Sequence, residues 1–366
     1  MAAHALPPPP PALIAPDVVY GRAGARIGPR TRRLLILTDG RVRRALRVRP
    51  GPRRVTVPLP VGRWSVRLVA MGDGGRRASA ARVVWVLPRN AAILGTTRGR
   101  LDRRLQGDLE AMAGRAPFTV GVYAQHLRTG CGAAVNAGAP FPTASVLKAG
   151  ILLDAVRRPR DADDGVLDRM ILDSDDRAAN DVLARQGGGD GVAGAASVTQ
   201  TLRDIGLPTA LVRRPYIIDD TATERSRPIP VTATSQPALY TNFIGTPAEL
   251  ALMFVLVHRA ALGGGALHRV GIGPIAARDR LMRRFLEVHD TGKLVAGVPA
   301  GTPVAHKTGY NTDVKADVGV IYTAGGPVVV AAMTWSAAGV GDAAGDTFIA
   351  DVARAALARL GHGGRC

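Results

Sequence analysis

Lysine is nearly missing from this chain of 366 residues: of its 48 lysines and arginines only four are lysines, and two of those, Lys148 and Lys307, sit beside hydroxyl residues in short motifs. Arginine keeps its proton in a protein, whereas a lysine amine can lose one when burial or nearby positive charge lowers its pKa. Other absences exclude whole classes. Two cysteines, Cys131 and Cys366, are too few for a disulfide framework or a thiolate zinc site. They form either one bridge, tying the C-terminus to an early loop, or two free thiols. No run approaches 18 apolar residues, so no transmembrane helix is expected. Residues 1–16 lack a basic start, and Pro7 to Pro11 would break an apolar segment, so no signal peptide is recognisable. They read as a Pro-rich tail, although a start assigned downstream of a true signal would look the same. Aromatics are scarce at 4%. The seven histidines show no metal-like spacing, and no metal or cofactor is expected.

What is present is unevenly charged. Residues 17–90 hold 18 arginines, no lysine, and only Asp17, Asp39 and Asp73 as acids, a net +15 within a chain total of +19. Such a module could bind an anionic cell-wall polymer or membrane surface, with nucleic acid the less expected partner. A solvated, arginine-biased surface without a partner has the same composition.

Residues 17–90 also read as all-β. Leu34 to Leu37, Val42 to Val48, Val55 to Val57, Trp64 to Val69 and Val83 to Leu87 are short apolar runs. Asp39-Gly40 and Asp73-Gly74 cut them with hairpin signals. The spacing predicts a small sandwich, immunoglobulin-like, with the strand before Pro58 and Pro60 at an edge or ending there. From residue 91 to 366 the order changes to helix, strands, a helical block, strands and helix. Helices are expected near Leu101 to Met112, from Ser145 to Val156, and over Met170 to Ala184, Val198 to Ile205, Pro247 to Val257, Arg278 to Val288 and Ala344 to Leu360. Gly187-Gly188-Gly189 reads as a flexible connection. This pattern predicts an α+β domain, an antiparallel sheet flanked by helices with an all-helical lobe inserted.

The candidate chemistry lies in three places. Ser145 and Lys148 are spaced i, i+3 at the start of a predicted helix, so hydroxyl and amine can meet on one face. The positive end of a helix disfavours an ammonium, which suits a lysine acting as a base. Ser174-Asp175-Asp176 follows 29 residues after Ser145, and His306-Lys307-Thr308-Gly309 lies far downstream on a predicted strand. Two amines flanking two hydroxyls is what proton shuttling in acyl transfer needs. His306 alternates away from Lys307 and is expected to pack.

These elements, in this order, resemble the serine β-lactamase and penicillin-binding DD-peptidase superfamily, class A β-lactamases most closely. Val120 to Tyr123, Ala134 to Asn136, Pro142 to Ser145 and Asp317 to Val320 extend the likeness over about residues 99–366. The resemblance implies Ser145 as nucleophile, Lys148 as its base and Ser174 as proton relay to the leaving nitrogen. Lys307 would hold that serine and a substrate carboxylate with Thr308 and Gly309. Backbone amides of Ser145 and Tyr310 would form the oxyanion hole, and Asn180 would be structural. A β-lactam or cell-wall peptide would be the substrate of a monomeric, secreted or envelope-associated bacterial protein.

Three departures shape the expectation. Asp176 stands where the family usually has asparagine, and a carboxylate near Lys148 would favour the ammonium. The glutamate that activates the deacylating water has no clear counterpart: its place falls on Tyr216, and Asp219, Asp220 or Glu224 could serve only in a remodelled loop. Part of the helical lobe is missing, which implies an open cleft. Slow deacylation follows; a true β-lactamase and a degenerate binding protein are the rivals.

Overall fold

The structure, a computed structural model, describes residues 6–49, 51–95, 98–160, 163–218, 228–229, 239–240, 242–364 and 366. Two compact units divide the chain at residues 1–92 and 93–366.

Among the described residues, the first unit contains nine strands: β1 (Ala12–Ile14), β2 (Val18–Tyr20), β3 (Arg22–Ile27), β4 (Arg33–Thr38), β5 (Arg41–Arg47), β6 (Arg53–Pro58), β7 (Gly62–Gly72), β8 (Gly75–Ala78) and β9 (Arg82–Leu87). One sheet has the order β1-β3-β6, the other β2-β9-β7-β4-β5 with β8 added to β7. Period-two alternation drives the pairing. Ala23, Ala25 and Ile27 point inward from β3, and Leu34 and Ile36 from β4, into one core shared with Val66, Leu68, Val84 and Val86. Asp39 and Gly40 both have positive φ, 48° and 77°, as the tight β4–β5 hairpin requires. Pro58 ends β6, which among the described residues pairs only with β3 and is an edge.

The Pro-rich tail expected over residues 1–16 is corrected in part. Ala12–Ile14 pairs antiparallel with Gly24 to Arg26. A Cβ on Gly28 would stand 2.5 Å from Pro9 Cδ and one on Gly72 3.5 Å from Pro8 Cδ, so the proline run is packed as far back as Pro8. Leu13 and Ile14 supply the apolar β-forming residues that the proline count obscured.

The second unit is built on a six-stranded sheet. From one edge it runs β10 (Arg100–Leu101), β12 (Cys131–Val135), β11 (Thr119–His126), then the strands Gly326–Trp335, Val314–Thr323 and Val304–Tyr310. All neighbours are antiparallel except the two-residue β10. Leu105 and Leu109 of α1 (Arg103–Arg115) and Phe348, Ile349, Val352 and Ala356 of the C-terminal helix Asp342–Leu360 pack in one core with the sheet residues Val120, Val122, Val328 and Val330. Inserted in the chain between β12 and Val304 are α2 (Lys148–Arg157), α3 (Asp164–Leu172), α4 (Asp176–Gln186), α5 (Gly191–Asp204) and α6 (Pro247–Ala261). Thr246 caps α6 by accepting from the Glu249 amide.

Two expectations fail here. The helix over Met170 to Ala184 is broken: α3 ends at Leu172 and α4 restarts at Asp176, because Asp175 accepts from the Arg177 and Ala178 amides as a new N-cap. Gly187 to Gly189 is a hydrogen-bonded helix end, with the Gly189 amide donating to Ala184 O at 2.8 Å, rather than a flexible connection.

Candidate active site

Ser145 lies in a single 3-10 turn, Ala144–Leu147, that leads directly into α2. Ala144 has φ 44°, a left-handed conformation unfavourable to a residue with a Cβ. Close packing enforces it. Gly309 abuts this turn, and a Cβ there would meet Thr143 O at 2.3 Å and Ser145 N at 3.0 Å. Glycine is what lets the strand Val304–Tyr310 reach the turn of the serine. Ser174, in the gap between α3 and α4, is also left-handed, with φ 59°. That gap turns the Ser174 hydroxyl and carbonyl onto the amine of Lys148.

The four residues form one connected chain. Lys148 Nζ donates to Ser145 Oγ at 2.9 Å and approaches Ser174 Oγ at 3.3 Å, while Lys307 Nζ reaches Ser174 Oγ at 2.9 Å from the other side. Both lysine side chains are fully buried. Lys148 also contacts Ser174 O and Asp176 Oδ1, each at 2.5 Å. The carboxylate suspected from the sequence therefore does pair with this amine. Burial nevertheless lowers the Lys148 pKa below the ordinary lysine value; hydrogen bonding to Asp176 and the charges of Asp176 and Asp175 oppose the shift without cancelling it. Among the described residues, no carboxylate pairs with the Lys307 amine, which donates to Ser174 Oγ and Thr308 O. Burial, helped by the charge of Lys148, brings it down to about 7, against the weaker pull of Asp317 and Asp290.

Tyr216 is the residue the sequence underused. Its backbone is clamped by Asn180, which accepts from the Tyr216 amide at 2.7 Å and donates to its carbonyl at 2.8 Å. Its ring stacks on Phe243 at 4.1 Å and lies 4.6 Å from Lys148 Nζ. Its hydroxyl donates to Ala144 O at 3.3 Å. Burial, and then the Asp176 charge, raises its pKa well above the phenol value, so it stays neutral. Spacing placed Tyr216 where a glutamate would stand but could not show that its ring covers the amine. Asp219, Asp220 and Glu224 lie outside the described residues.

The other two lysines are also buried near the site's rim. Lys293 and Lys315 hold their amines 5.2 and 5.1 Å from the ring of Tyr310, which is itself exposed. Lys293 pairs with Asp290 at 2.7 Å, and Lys315 pairs with Asp342. Thr308 is buried beside this cluster, with its hydroxyl toward Asp290. All four lysines of the chain are therefore buried, and two of them, Lys293 and Lys315, flank Tyr310. His306 packs as expected, its Nδ1 2.9 Å from the buried Asp317 carboxylate. No group of metal-ligating side chains occurs among the described residues.

A serine and two lysines meeting a second serine between a sheet edge and a helical lobe define the serine β-lactamase and penicillin-binding superfamily. The chain belongs to the β-lactamase enzyme family, whose pattern matches residues 164–360, a span that includes Ser174 and Lys307 but begins after Ser145 and Lys148. Among solved structures, PBP-A is 24% identical over 70% of this chain and 96% of its own, with a TM-score of 0.54. A point mutant of PBP-A, in an acyl-enzyme complex with penicillin G, is 24% identical over 71% and 97%, with a TM-score of 0.55. The class A β-lactamase of the last common ancestor of Gram-negative bacteria is 22% identical over 69% and 98%, with a TM-score of 0.53. At these identities the likeness establishes the fold. No curated protein sequence matches the chain.

Proposed function

We propose that the protein is a serine hydrolase that forms an acyl-enzyme at Ser145 with a β-lactam or a cell-wall-peptide-like substrate and releases it slowly. The observation that carries this reading is the unbroken contact chain Ser145, Lys148, Ser174, Lys307. Ser145 attacks the carbonyl carbon, and Ser174 delivers a proton to the leaving nitrogen. Lys307 with Thr308 and Gly309 receives a substrate carboxylate, and the amides of Ser145 and Tyr310 hold the oxyanion. Slow release is supported by an aromatic ring, Tyr216, lying against Lys148 where a water-activating carboxylate would be needed. The acyl-enzyme complex of the PBP-A mutant with penicillin G supports the substrate class. The Cys131–Cys366 disulfide supports an oxidising, extracytoplasmic setting.

Intact-mass measurement after exposure to a fluorescent penicillin tests the reading. The expected result is a stoichiometric adduct on Ser145 that persists for many minutes. Hydrolysed product without a lasting adduct would make the protein a true β-lactamase. No adduct and no product would leave a degenerate binding domain and overturn the proposal.

The basic first unit is proposed to hold the protein on an anionic cell-wall polymer. Edge strand β5 supports this, since all but one of its residues are exposed and it carries Arg41, Arg43, Arg44 and Arg47. Of the three acids in residues 17–90, Asp17 and Asp73 are already paired, with Arg82 and Arg32. The full chain should elute from a polyanion resin at clearly higher salt than a variant with those four β5 arginines changed to serine. Co-elution of the two would refute the assignment.

A further inference from the structure

Asp176 gives the site an acidic end beside its nucleophile. Its Oδ1 lies 2.5 Å from Lys148 Nζ, and the same nitrogen lies 2.9 Å from Ser145 Oγ. The two oxygens are therefore no farther apart than those two contacts laid end to end. Lys148 is fully buried, yet the Asp176 side chain is 45% exposed. Among the described residues its second oxygen has no partner, so the carboxylate turns one oxygen to the amine and leaves the other to the cleft. The neighbouring Asp175 is committed elsewhere, accepting from the Arg177 and Ala178 amides as the cap of α4. On the far side of Ser145, Gly309 abuts the serine turn and Lys307 stands at Ser174.

An ionised carboxylate only accepts hydrogen bonds. Toward a substrate it attracts an ammonium and repels a carbonyl oxygen, which would be a second acceptor with no proton between them. We propose that Asp176 selects the acyl side of the substrate by binding the free α-ammonium of the residue whose carbonyl Ser145 attacks. This rests on the acyl-serine reading and narrows its substrate class to short zwitterionic peptides, with a free amine on the acyl side and a carboxylate on the leaving side.

The reach is right. An α-nitrogen lies about 2.5 Å from its own carbonyl carbon, two bonds away. A reacting carbonyl carbon stands about 3 Å from the attacking oxygen. A nitrogen so placed can meet a carboxylate that shares a single amine with Ser145. If the amine is acylated, the added carbonyl oxygen is brought to Asp176 instead, acceptor against acceptor.

The covalent step balances without a co-reactant. Ser145 Oγ bonds to the carbonyl carbon, and the bond from that carbon to the leaving nitrogen breaks with its electron pair on nitrogen. The serine proton ends on that nitrogen. The α-ammonium keeps its protons throughout and stays on the acyl-enzyme beside Asp176.

Two thioesters of thioglycolate, whose carboxylate serves the leaving side, test the selection: D-alanyl thioglycolate and its N-acetyl counterpart. Sulfur then replaces the leaving nitrogen, and thiol release is followed at pH 6, where an α-amine is charged. The free-amine ester should show a kcat/KM about tenfold higher or more, the effect of one charged hydrogen bond at a partly exposed group. Asp176→Asn can donate to a carbonyl and should reverse the order. Asp175 and not Asp176 caps α4, so the variant keeps the helix start, and circular dichroism checks it. An N-acetyl ester that reacts as fast in wild type would overturn the proposal, as would an unchanged ratio in Asp176→Asn. Binding gives a readout that needs no acylation. In Ser145→Ala, D-alanyl-D-alanine should bind about tenfold more tightly than its N-acetyl form by calorimetry, and equal affinities would overturn the proposal. If that preference holds while neither thioester nor a reporter penicillin leaves an adduct on wild-type Ser145, the acyl-serine reading fails and the selection by Asp176 stands.

Discussion

Replacing Tyr216 by glutamate should turn a lasting acyl-enzyme into a turning-over one, with deacylation faster by about 10²–10⁴-fold, the range a positioned general base contributes. The acyl-enzyme is an ester that needs an activated water, and a carboxylate placed beside Lys148 could supply the base. In the native protein this position presents a neutral phenol whose pKa is pushed well above its ordinary value. That hydroxyl already donates to Ala144 O, so it is in no state to take a proton from water. The backbone at residue 216 is fixed by two hydrogen bonds to Asn180 and does not depend on the ring. A glutamate should therefore point where the tyrosine points. Loss of the 4.1 Å stack on Phe243 lowers stability, so Tyr216→Phe is the matched control. It keeps the stack and the cation–π contact, removes only the hydroxyl, and should deacylate as slowly as the parent. Release of the fluorescent acyl group, followed after removing excess penicillin, gives both rates. If Tyr216→Glu releases no faster than Tyr216→Phe, the block to turnover lies elsewhere.

The limits of sequence reading are visible at particular residues. Short-range signals translated well. Asp39-Gly40 gave its hairpin, Pro58 its edge strand, and the i, i+3 spacing brought Ser145 and Lys148 to 2.9 Å. The resemblance correctly anticipated the α+β fold with its inserted lobe. What was not legible depends on chain reversals and on burial. Apolar periodicity runs through Met170 to Ala184, so the break at Ser174 was hidden, although Asp173 and Asp175 are the residue types that stop and cap helices. The Asp176 carboxylate does reach Lys148, and its pull toward the ammonium is opposed by burial. Burial cannot be read from a motif. The same reason hid Lys293 and Lys315, which lie outside any motif and matter only because the fold buries them against Tyr310.

Breaking the Cys131–Cys366 bridge should be the most damaging change remote from the site. The sequence left this pair open between a bridge and two thiols, and the fold brings them into a disulfide across 235 residues. In the chain-entropy description, a loop that long lowers the unfolded state's freedom by about 5 kcal/mol, an upper figure because unfolded chains keep some structure. The bridge also acts locally. Cys131 opens β12 in the central sheet, and Cys366 follows the helix Asp342–Leu360, whose Phe348, Ile349, Val352 and Ala356 cover that sheet's core. Without the bridge, this helix is held by packing, by ion pairs of Asp342 with Lys315, Asp346 with Lys293 and Arg359 with Asp102, and by its final turn, where the Gly361 amide donates to Leu357 O and the Gly361 carbonyl accepts from Thr323. Cys366→Ser should therefore lower the urea midpoint of the second unit sharply and steepen its denaturant dependence, since a longer free chain is exposed on unfolding. Reduction of the wild-type protein by a phosphine should produce the same shift without any substitution. Helix unfolding followed by circular dichroism, alongside retention of the penicillin adduct, locates the loss in the unit that carries Ser145. An unchanged midpoint in both the variant and the reduced protein would mean that the helix is anchored by its non-covalent contacts alone.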